Sequence, residues 1–453
     1  MFQAIAKFFR FRELHTDFRT EALAGLTTFM TMSSILVVNP AILSSAFFLS
    51  QPGDLLGQLL VATAITSALC SVLMGYLANY PFALAPAMGP NAYVAFSLVL
   101  GLQMNWRLAL TTVLLDGVLF LILIRTNLHT KILRAIPDFF KVATVVGIGL
   151  LVAYLALASN PEAPTLGAGI IVADPATITG LGSFRQPTTQ LATFGLLLTA
   201  VLTARSVKGG MLWGILITAI LGWSLGIAPA PQGIVALPEL PTDLIGQALI
   251  GFQYLTVEQI WNVIAATLTL TFVTLFGFMG TLTGLGQRLD GLDHRGDLPR
   301  TTRIYTAGAL GTVVGALLGM PPPVTYLESA AGINEGGRSG FTAVVVALLM
   351  LGSVFFTPVV AAIPAFAITP ALVLVGVLMM QGVREIDWND PAEAITSFLI
   401  ILVMPLAFSI AKALAVGFIV YPTLKAAQGK ARSISWVMYT LAIISVLYFV
   451  SLP

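Results

Sequence analysis

Long apolar runs, nearly free of charged side chains, follow one another along almost the whole of this chain. Charged residues make up only 9% of the sequence, against about 25% in a soluble domain. Such a chain cannot cover a water-facing surface with polar groups, whereas about 20 apolar residues in a helix cross a lipid bilayer. The sequence therefore predicts an all-α polytopic membrane protein with the bilayer as its solvent. The net charge of +2 gives no indication of nucleic acid binding, and the single Cys70 supports neither a disulfide nor a metal site.

About fourteen segments have the length and composition of a membrane-crossing element. They lie at 21–39, 56–80, 86–101, 107–125, 138–157, 189–204, 210–228, 259–284, 304–320, 328–337, 341–363, 368–382, 394–411 and 413–426. A further apolar stretch at 434–451 either spans the membrane or lies in the interface, and we favour the interface. Residues 1–20 lack the short apolar core of a cleavable signal. We expect them to form an amphipathic helix with Phe2, Ile5, Phe8 and Phe9 towards the lipid.

Basic residues predict the orientation, because cytoplasmic loops retain Lys and Arg. They cluster at five places along the chain. These are before span one (Lys7, Arg10, Arg12 and Arg19), after span four (Arg125, Lys131, Arg134 and Lys141), after span six (Arg205 and Lys208), after span eight (Arg288, Arg295, Arg300 and Arg303) and after span twelve (Arg384). The long connections 158–188 and 229–258 contain only Arg185. We therefore expect a multi-pass protein of the inner membrane with a cytoplasmic N-terminus.

Two sets of seven spans enter the membrane from opposite sides, because seven is odd, and this predicts a 7+7 inverted repeat. The third element of each half is interrupted by proline, at 81–93 and at 321–332. Proline removes a backbone donor and clashes with a preceding helical turn. In inverted repeats, such broken elements bind the substrate near the midplane. We expect short extended segments leading into half-helices, and a kinked packing helix is the alternative for either one.

Ionisable groups inside apolar segments are costly and default to functional candidates. Asp116 and Glu328 stand out. Glu328 begins the second half-helix, where the helix dipole favours a carboxylate, and a helix cap is its structural alternative. Asp116 has either a direct role or that of a hydrogen-bonding anchor between helices. Lys412 is predicted to lie in the turn between the last two short helices, and Glu335 to form a local ion pair with Arg338.

The motifs of metalloproteases, serine hydrolases and phosphate-binding loops are absent from the sequence. Secondary transport is therefore favoured over enzymatic activity. Several long motifs, in order, resemble the adenine/guanine/hypoxanthine permease branch of the xanthine/uracil permease superfamily, the nucleobase–cation symporters. They lie at 18–29, 38–43, 85–93, 326–332, 336–340 and 386–388.

The resemblance implies a fourteen-helix fold in which a nucleobase binds between a core and a gate domain. The division would be 1–20 as the cytoplasmic N-terminus, 21–125 and 259–363 as the core domain, 138–228 and 368–426 as the gate domain, and 434–451 as a C-terminal apolar segment. The substrate-binding candidates are Glu328, Gly277, Phe278, Ala87, Met88, Gly89, Asn91, Tyr326 and Ser329. Glu328 and Asp116 are the candidates for coupling to H+. No cofactor or metal is implied, and a homodimer is left open.

Span eight departs from the pattern of the branch, which reads Asp-Leu-Phe-Asp-Thr, one variable residue, then Gly-Thr-Leu. The aligned residues here are 274–282, with Thr274 and Gly277 in place of the two aspartates and Phe278 in place of a hydroxyl. Gly277 would admit a larger substrate, unless Phe278 fills the space.

The expected function is secondary-active, proton-coupled, elevator-like transport of a purine nucleobase across the cytoplasmic membrane. The alternatives are a passive facilitator or channel for another small solute or anion, and a binding paralogue that does not transport.

Overall fold

The structure is a computed structural model that describes residues 2–126, 128–129, 135–158, 168–174, 178–286, 288–289 and 298–451. Of the basic residues used above to predict orientation, Lys131, Arg134 and Arg295 lie outside the described residues.

The first half of the chain contains nine helices and three strands within the described residues. They are α1 (Phe2–Phe8), α2 (Phe18–Met32), α3 (Ile35–Ser44), α4 (Leu56–Leu77), β1 (Leu84–Pro86), α5 (Met88–Ala92), α6 (Trp106–Arg125), α7 (Asp138–Leu157), β2 (Ile171–Asp174), β3 (Ile178–Leu181), α8 (Pro187–Ala204) and α9 (Gly210–Ser224). Helix α5 continues as a π-helix over Tyr93–Gly101. Strands β2 and β3 form an antiparallel pair.

The second half begins with a short helix and then alternates long and broken elements. They are α10 (Gln247–Ile250), α11 (Ile260–Gly286), α12 (Thr301–Leu317), β4 (Pro323–Thr325), α13 (Ser329–Asn334), α14 (Gly340–Ser353), α15 (Thr357–Ala361), α16 (Ala365–Met380), α17 (Pro391–Leu406), α18 (Ile410–Ala427) and α19 (Trp436–Ser451). Single 3-10 turns lie at Gly251–Tyr254, Val257–Gln259, Val354–Phe356, Gln381–Glu385 and Ala431–Ser433.

Each apolar segment predicted from the sequence contains a helix, and the prediction of a polytopic helical membrane protein is confirmed. Among the described residues, nine helices are long and apolar enough to cross a membrane. The remaining predicted spans contain shorter helices, α5, α9, α12, α13 and α17, of 5 to 17 residues. Two of these, α5 and α13, are short because proline-containing strands replace their first turns.

One predicted turn is displaced. Helix α17 ends at Leu406, and Ser409 caps α18 by accepting a hydrogen bond from the backbone N–H of Lys412 at 3.2 Å. The prediction that Lys412 lies in the turn is therefore wrong, because this residue belongs to the first turn of α18.

The long helices pack in two groups. Helices α2, α4, α6, α11, α12 and α14 contact one another in one group, and α7, α8, α9, α16, α17 and α18 contact one another in the other. Helix α11 touches both groups, since it packs on α6 and also contacts α7 and α18. Helix α5 likewise contacts α7.

The N-terminal segment packs on the first group through aromatic rings. Phe9 and Phe11 are buried, and each lies within 6 Å of the Phe341 ring at the start of α14. Phe2 and Phe8 remain exposed. The expectation that Phe9 faces lipid is therefore wrong, because its ring packs on the protein.

Candidate functional site

The two proline-broken elements meet at the centre of the first helix group. Strands β1 and β4 pair antiparallel over three residues each. The register pairs Leu84 with Thr325, Ala85 with Val324 and Pro86 with Pro323. All six residues are buried, so the extended backbone is covered by protein, as membrane depth requires. The predicted extended segments are confirmed.

Hydrogen bonds extend this contact into the half-helices. The N–H of Ala87 donates to the carbonyl of Pro322, and the N–H of Tyr326 donates to the carbonyl of Ala83, both at 3.0 Å. The side chains predicted to belong to the site take part. Ser329 Oγ accepts from the N–H of Ala83 at 3.0 Å, and the Tyr326 hydroxyl donates to the Pro86 carbonyl at 2.7 Å. Ser329 and Tyr326 therefore hold the two elements together.

Glu328 lies at the N-terminus of α13, immediately after this contact. It is half-buried, and its side chain makes no capping hydrogen bond to the helix. Within the described part of the chain, no cation pairs with its carboxylate. Thr31 Oγ1 lies 3.4 Å from the backbone carbonyl of Glu328 and does not contact the carboxylate. Glu328 is therefore the N-cap residue of α13 by position, but its side chain does not cap the helix. Its part in ligand binding stays a prediction.

The opposite side of the site is built from the start of α5. Ala87 is extended at the N-cap, and Met88 and Gly89 follow in the first turn. Their N–H groups have no acceptor within the helix because they open it. A Cβ added to Gly89 would lie 3.1 Å from Ile148 Cγ2 of α7. The backbone at Gly89 therefore faces the second helix group at close range.

Asn91 lies deeper than these residues and is fully buried. Its Nδ2 donates to Asn39 Oδ1 at 2.7 Å, and Asn39 Nδ2 donates to Thr63 Oγ1 at 2.7 Å. Among the described residues, Asn91 Oδ1 has no hydrogen-bond partner. Asn91 thus connects α5 to α3 and α4 beneath the site.

Helix α11, the predicted span eight, presents two different faces. A Cβ added to Gly277 would lie 3.5 Å from Val324 of β4, and one added to Gly284 would lie 3.0 Å from Leu327. Between them, the Thr281 hydroxyl is hydrogen bonded to that of Thr325. This face borders the strand crossing and Leu327, the residue before Glu328. Thr281 was not predicted as a site residue, although its spacing of four from Gly277 places both on one helix face.

Phe278 lies on the other face and is fully buried. Its ring is 5.9 Å from that of Phe120 and 5.8 Å from that of Tyr305. A Cβ added to Gly308 would overlap the Phe278 ring. The structure therefore does not bring Phe278 together with Glu328, and Phe278 does not fill the space beside Gly277.

Asp116 of α6 contacts α11 away from the face that borders the strand crossing. Its Oδ1 accepts from Thr271 Oγ1 at 2.7 Å and its Oδ2 lies 3.3 Å from Thr274 Oγ1. Thr271 and Thr274 are one turn apart on α11, so the carboxylate joins α6 to α11. Asp116 is fully buried, and this arrangement is that of a helix–helix anchor.

Two other charged groups differ from expectation. Glu335 forms an ion pair with Lys208, and the Arg338 guanidinium donates to the carbonyls of Ile333 and Gly337. The predicted pair of Glu335 with Arg338 is therefore wrong. Glu21, which was not among the predicted ionisable candidates, is fully buried and accepts from the N–H groups of Arg338 and Ser339 at 2.9 and 3.0 Å.

Comparison with known proteins settles the family. A sequence model of the xanthine/uracil permeases, described as a permease family, matches residues 19–416. The chain belongs to this family.

Several relatives resemble this permease over nearly their full length. A provisionally named permease of Methanocaldococcus jannaschii is 45% identical, over 99% of this chain and 98% of its own. The guanine/hypoxanthine permease PbuG of Bacillus subtilis is 38% identical, over 98% and 99%. The adenine permease AdeP of Escherichia coli is 32% identical, over 98% and 96%.

Solved structures share the fold of the permease at low sequence identity. The transmembrane domain of the cyanobacterial bicarbonate transporter BicA matches with a TM-score of 0.60 at 16% identity, over 88% of this chain and 97% of that one. The structure of SLC26A9 matches with a TM-score of 0.60 at 10% identity, over 94% and 68%. At these identities the likeness shows the fold alone. Among the described residues, no cluster of His, Cys, Asp or Glu could hold a metal ion.

Proposed function

We propose that this protein is a secondary-active permease that moves a purine nucleobase across the cytoplasmic membrane. Its relatives include permeases named for guanine, hypoxanthine and adenine. The observation that assigns the proposal to a site is the position of Glu328, a half-buried carboxylate beside the β1–β4 crossing. Among the described residues, no cation pairs with it, and its side chain makes no capping hydrogen bond.

The chemistry of a purine matches this arrangement. The edge of a purine alternates N–H donors with ring-nitrogen and carbonyl acceptors. Glu328 can accept hydrogen bonds from the donors, and the free N–H groups of Met88 and Gly89 can donate to the acceptors. The N–H groups of Ser329 and Ala330 are already bonded to the carbonyls of Tyr326 and Leu327. The backbone contribution therefore comes from α5 rather than from α13.

The same geometry supports a division of labour between the two buried acids. Both oxygens of Asp116 accept hydrogen bonds from threonine hydroxyls of α11, whereas no side chain of the described residues donates a hydrogen bond to the Glu328 carboxylate. We assign substrate binding and proton coupling to Glu328, and anchoring to Asp116. The cytoplasmic N-terminus follows from the distribution of Lys and Arg. The two helix groups would act as core and gate domains that move against each other in an elevator-like cycle.

Uptake of labelled hypoxanthine, guanine, adenine, xanthine and uracil in a transport-deficient host tests the proposal. We expect purine uptake, and we expect Glu328→Gln to reduce it by about tenfold or more, because a hydrogen bond to a charged group contributes about 1.5–3 kcal/mol. Glu385→Gln, at an exposed glutamate outside the site, is the matched control and should leave uptake unchanged.

Three results would count against the proposal. An unimpaired Glu328→Gln variant would remove the site assignment. Flux of a small anion without any base uptake would indicate a facilitator on the same scaffold. Tight binding of a base to the purified protein without flux would indicate a receptor.

A further inference from the structure

Two positions in the middle of α11 are glycines although close packing does not require a glycine there. A Cβ added to Gly277 would be at an ordinary contact distance of 3.5 Å, and one added to Gly280 would meet no atom of the described residues within 4 Å. Neither residue has the positive φ angle that favours glycine. A glycine inside a helix costs about 1 kcal/mol relative to alanine, so these two positions lower helix stability without a gain in packing.

Other glycines of the same helix group are packed tightly. A Cβ added to Gly308 would overlap the Phe278 ring, and one added to Gly117 would lie 2.8 Å from Val313 Cγ2. A Cβ added to Gly311 would lie 2.9 Å from the Cys70 sulfur. At those positions glycine allows helices to approach. At Gly280 it leaves open space.

The direction of this space follows from the helical period of about 100° per residue. Phe272 of α11 approaches Phe418 of α18, with 6.1 Å between ring centroids, and marks the side of the helix that meets the second group. Gly277 and Gly284 face Val324 and Leu327 beside the strand crossing. Gly280 lies between these two directions. It is exposed and lies one turn before Gly284, whose added Cβ would approach Leu327, the residue that precedes Glu328.

We infer that Gly280 is a specificity-determining residue, whose missing side chain provides the room for the second ring of a bicyclic base beside Glu328. The inference rests on the proposed function and deepens it. A side chain at this position projects into the space that the fused ring occupies. A single-ring base leaves that space empty, so its binding tolerates the side chain.

The test measures binding of labelled hypoxanthine and of labelled uracil to purified wild-type protein, Gly280→Ala and Gly280→Leu. Even one added methylene in a tight pocket changes binding by about tenfold or more. We expect hypoxanthine affinity to fall stepwise from Gly to Ala to Leu, and the hypoxanthine-to-uracil affinity ratio to fall by about tenfold or more for Leu. Should Gly280→Leu fail to fold, Gly280→Ala carries the test, because its Cβ meets no neighbour.

Gly352 of α14 provides the matched control. It is also an exposed helical glycine at which an added Cβ meets no described atom within 4 Å, and Gly352→Leu should leave both affinities unchanged. An unchanged affinity ratio in every folded Gly280 variant would overturn the inference and leave the proposed function intact. Failure of the wild-type protein to bind any base would instead overturn the proposed function itself.

Discussion

The Tyr326 hydroxyl donates a hydrogen bond to the Pro86 carbonyl oxygen across 2.7 Å and so joins the two broken elements at their crossing. Tyr326→Phe would leave a buried carbonyl without this donor, which costs about 1–3 kcal/mol. We expect a lower melting temperature in detergent and weaker base binding, since the half-helices lose a fixed spacing.

Tyr439→Phe is the control for this prediction. The Tyr439 hydroxyl also donates to a backbone carbonyl, that of Ala431, at 3.0 Å, but at an exposed position far along the chain. Its removal should leave both readouts unchanged. Equal melting temperatures for Tyr326→Phe and wild-type protein would contradict the role given to Tyr326.

Asp116 and Thr271 are predicted to be energetically coupled, because the carboxylate accepts the threonine hydroxyl between two buried helices. Thr271→Val leaves a buried carboxylate short of a donor, and Asp116→Asn weakens a charge-assisted bond, each at a cost of about 1–3 kcal/mol. The double variant should be less destabilised than the sum of the two. Thermal unfolding of the four proteins measures the coupling.

Base uptake as a function of pH distinguishes an anchor from a coupling residue at Asp116. As an anchor, Asp116 contributes to folding alone, so Asp116→Asn should lower the amount of folded protein but keep the pH profile of uptake per folded molecule. A profile that loses its pH dependence would transfer the coupling role from Glu328 to Asp116.

Phe278 and Gly308 are predicted to compensate for each other in size. Gly308→Ala places a methyl group into the Phe278 ring, and overpacking of this kind costs about 1–3 kcal/mol. Phe278→Leu alone removes ring contacts with Phe120 and Tyr305. The double variant should be more stable than additivity predicts, with base affinity unchanged. A specific loss of base affinity in Phe278→Leu would place this side chain in the site after all.

The helical elements and the broken segments could be predicted from the sequence, because few charges and misplaced prolines have a direct physical meaning in a bilayer. The rotation of α11 could not. Phe278 and Gly277 are adjacent, so one faces about 100° away from the other, and in a membrane protein both faces of a helix are apolar. The threonines at 271 and 274, spaced one turn apart, were the available signal for a partner such as Asp116.

Ion pairs between residues far apart in the sequence could not be predicted either. Glu335 stands three residues from Arg338, yet its partner is Lys208, which is 127 residues distant. The nearby turn instead uses Arg338 to satisfy backbone carbonyls. Sequence proximity favours the local pair, whereas the packing of separate helix groups decides the actual one.

Asp390 is predicted to make the thermal stability of the protein depend on pH under acidic conditions. The side-chain hydrogen bond from Lys425 lowers the pKa of Asp390 below its ordinary value. A carboxyl whose pKa is lower in the folded than in the unfolded state stabilises the fold fully at a pH above its unfolded-state pKa. This stabilisation is lost as the pH falls through its folded-state pKa. The melting temperature should therefore fall below about pH 4, and less so in Asp390→Asn. Asp387→Asn, at a residue without an ion pair in the described chain, should keep the wild-type slope.

Lys208 and Glu335 are predicted to separate during transport, since their ion pair joins the proposed gate and core domains. Cysteines at both positions, joined by a bifunctional thiol crosslinker of ion-pair length, should block uptake. The native Cys70 is fully buried and does not interfere. The same crosslink between cysteines at Asp390 and Lys425, which pair within the proposed gate domain, should leave uptake unchanged. Full uptake by the crosslinked 208–335 protein would exclude an elevator-like movement at this contact.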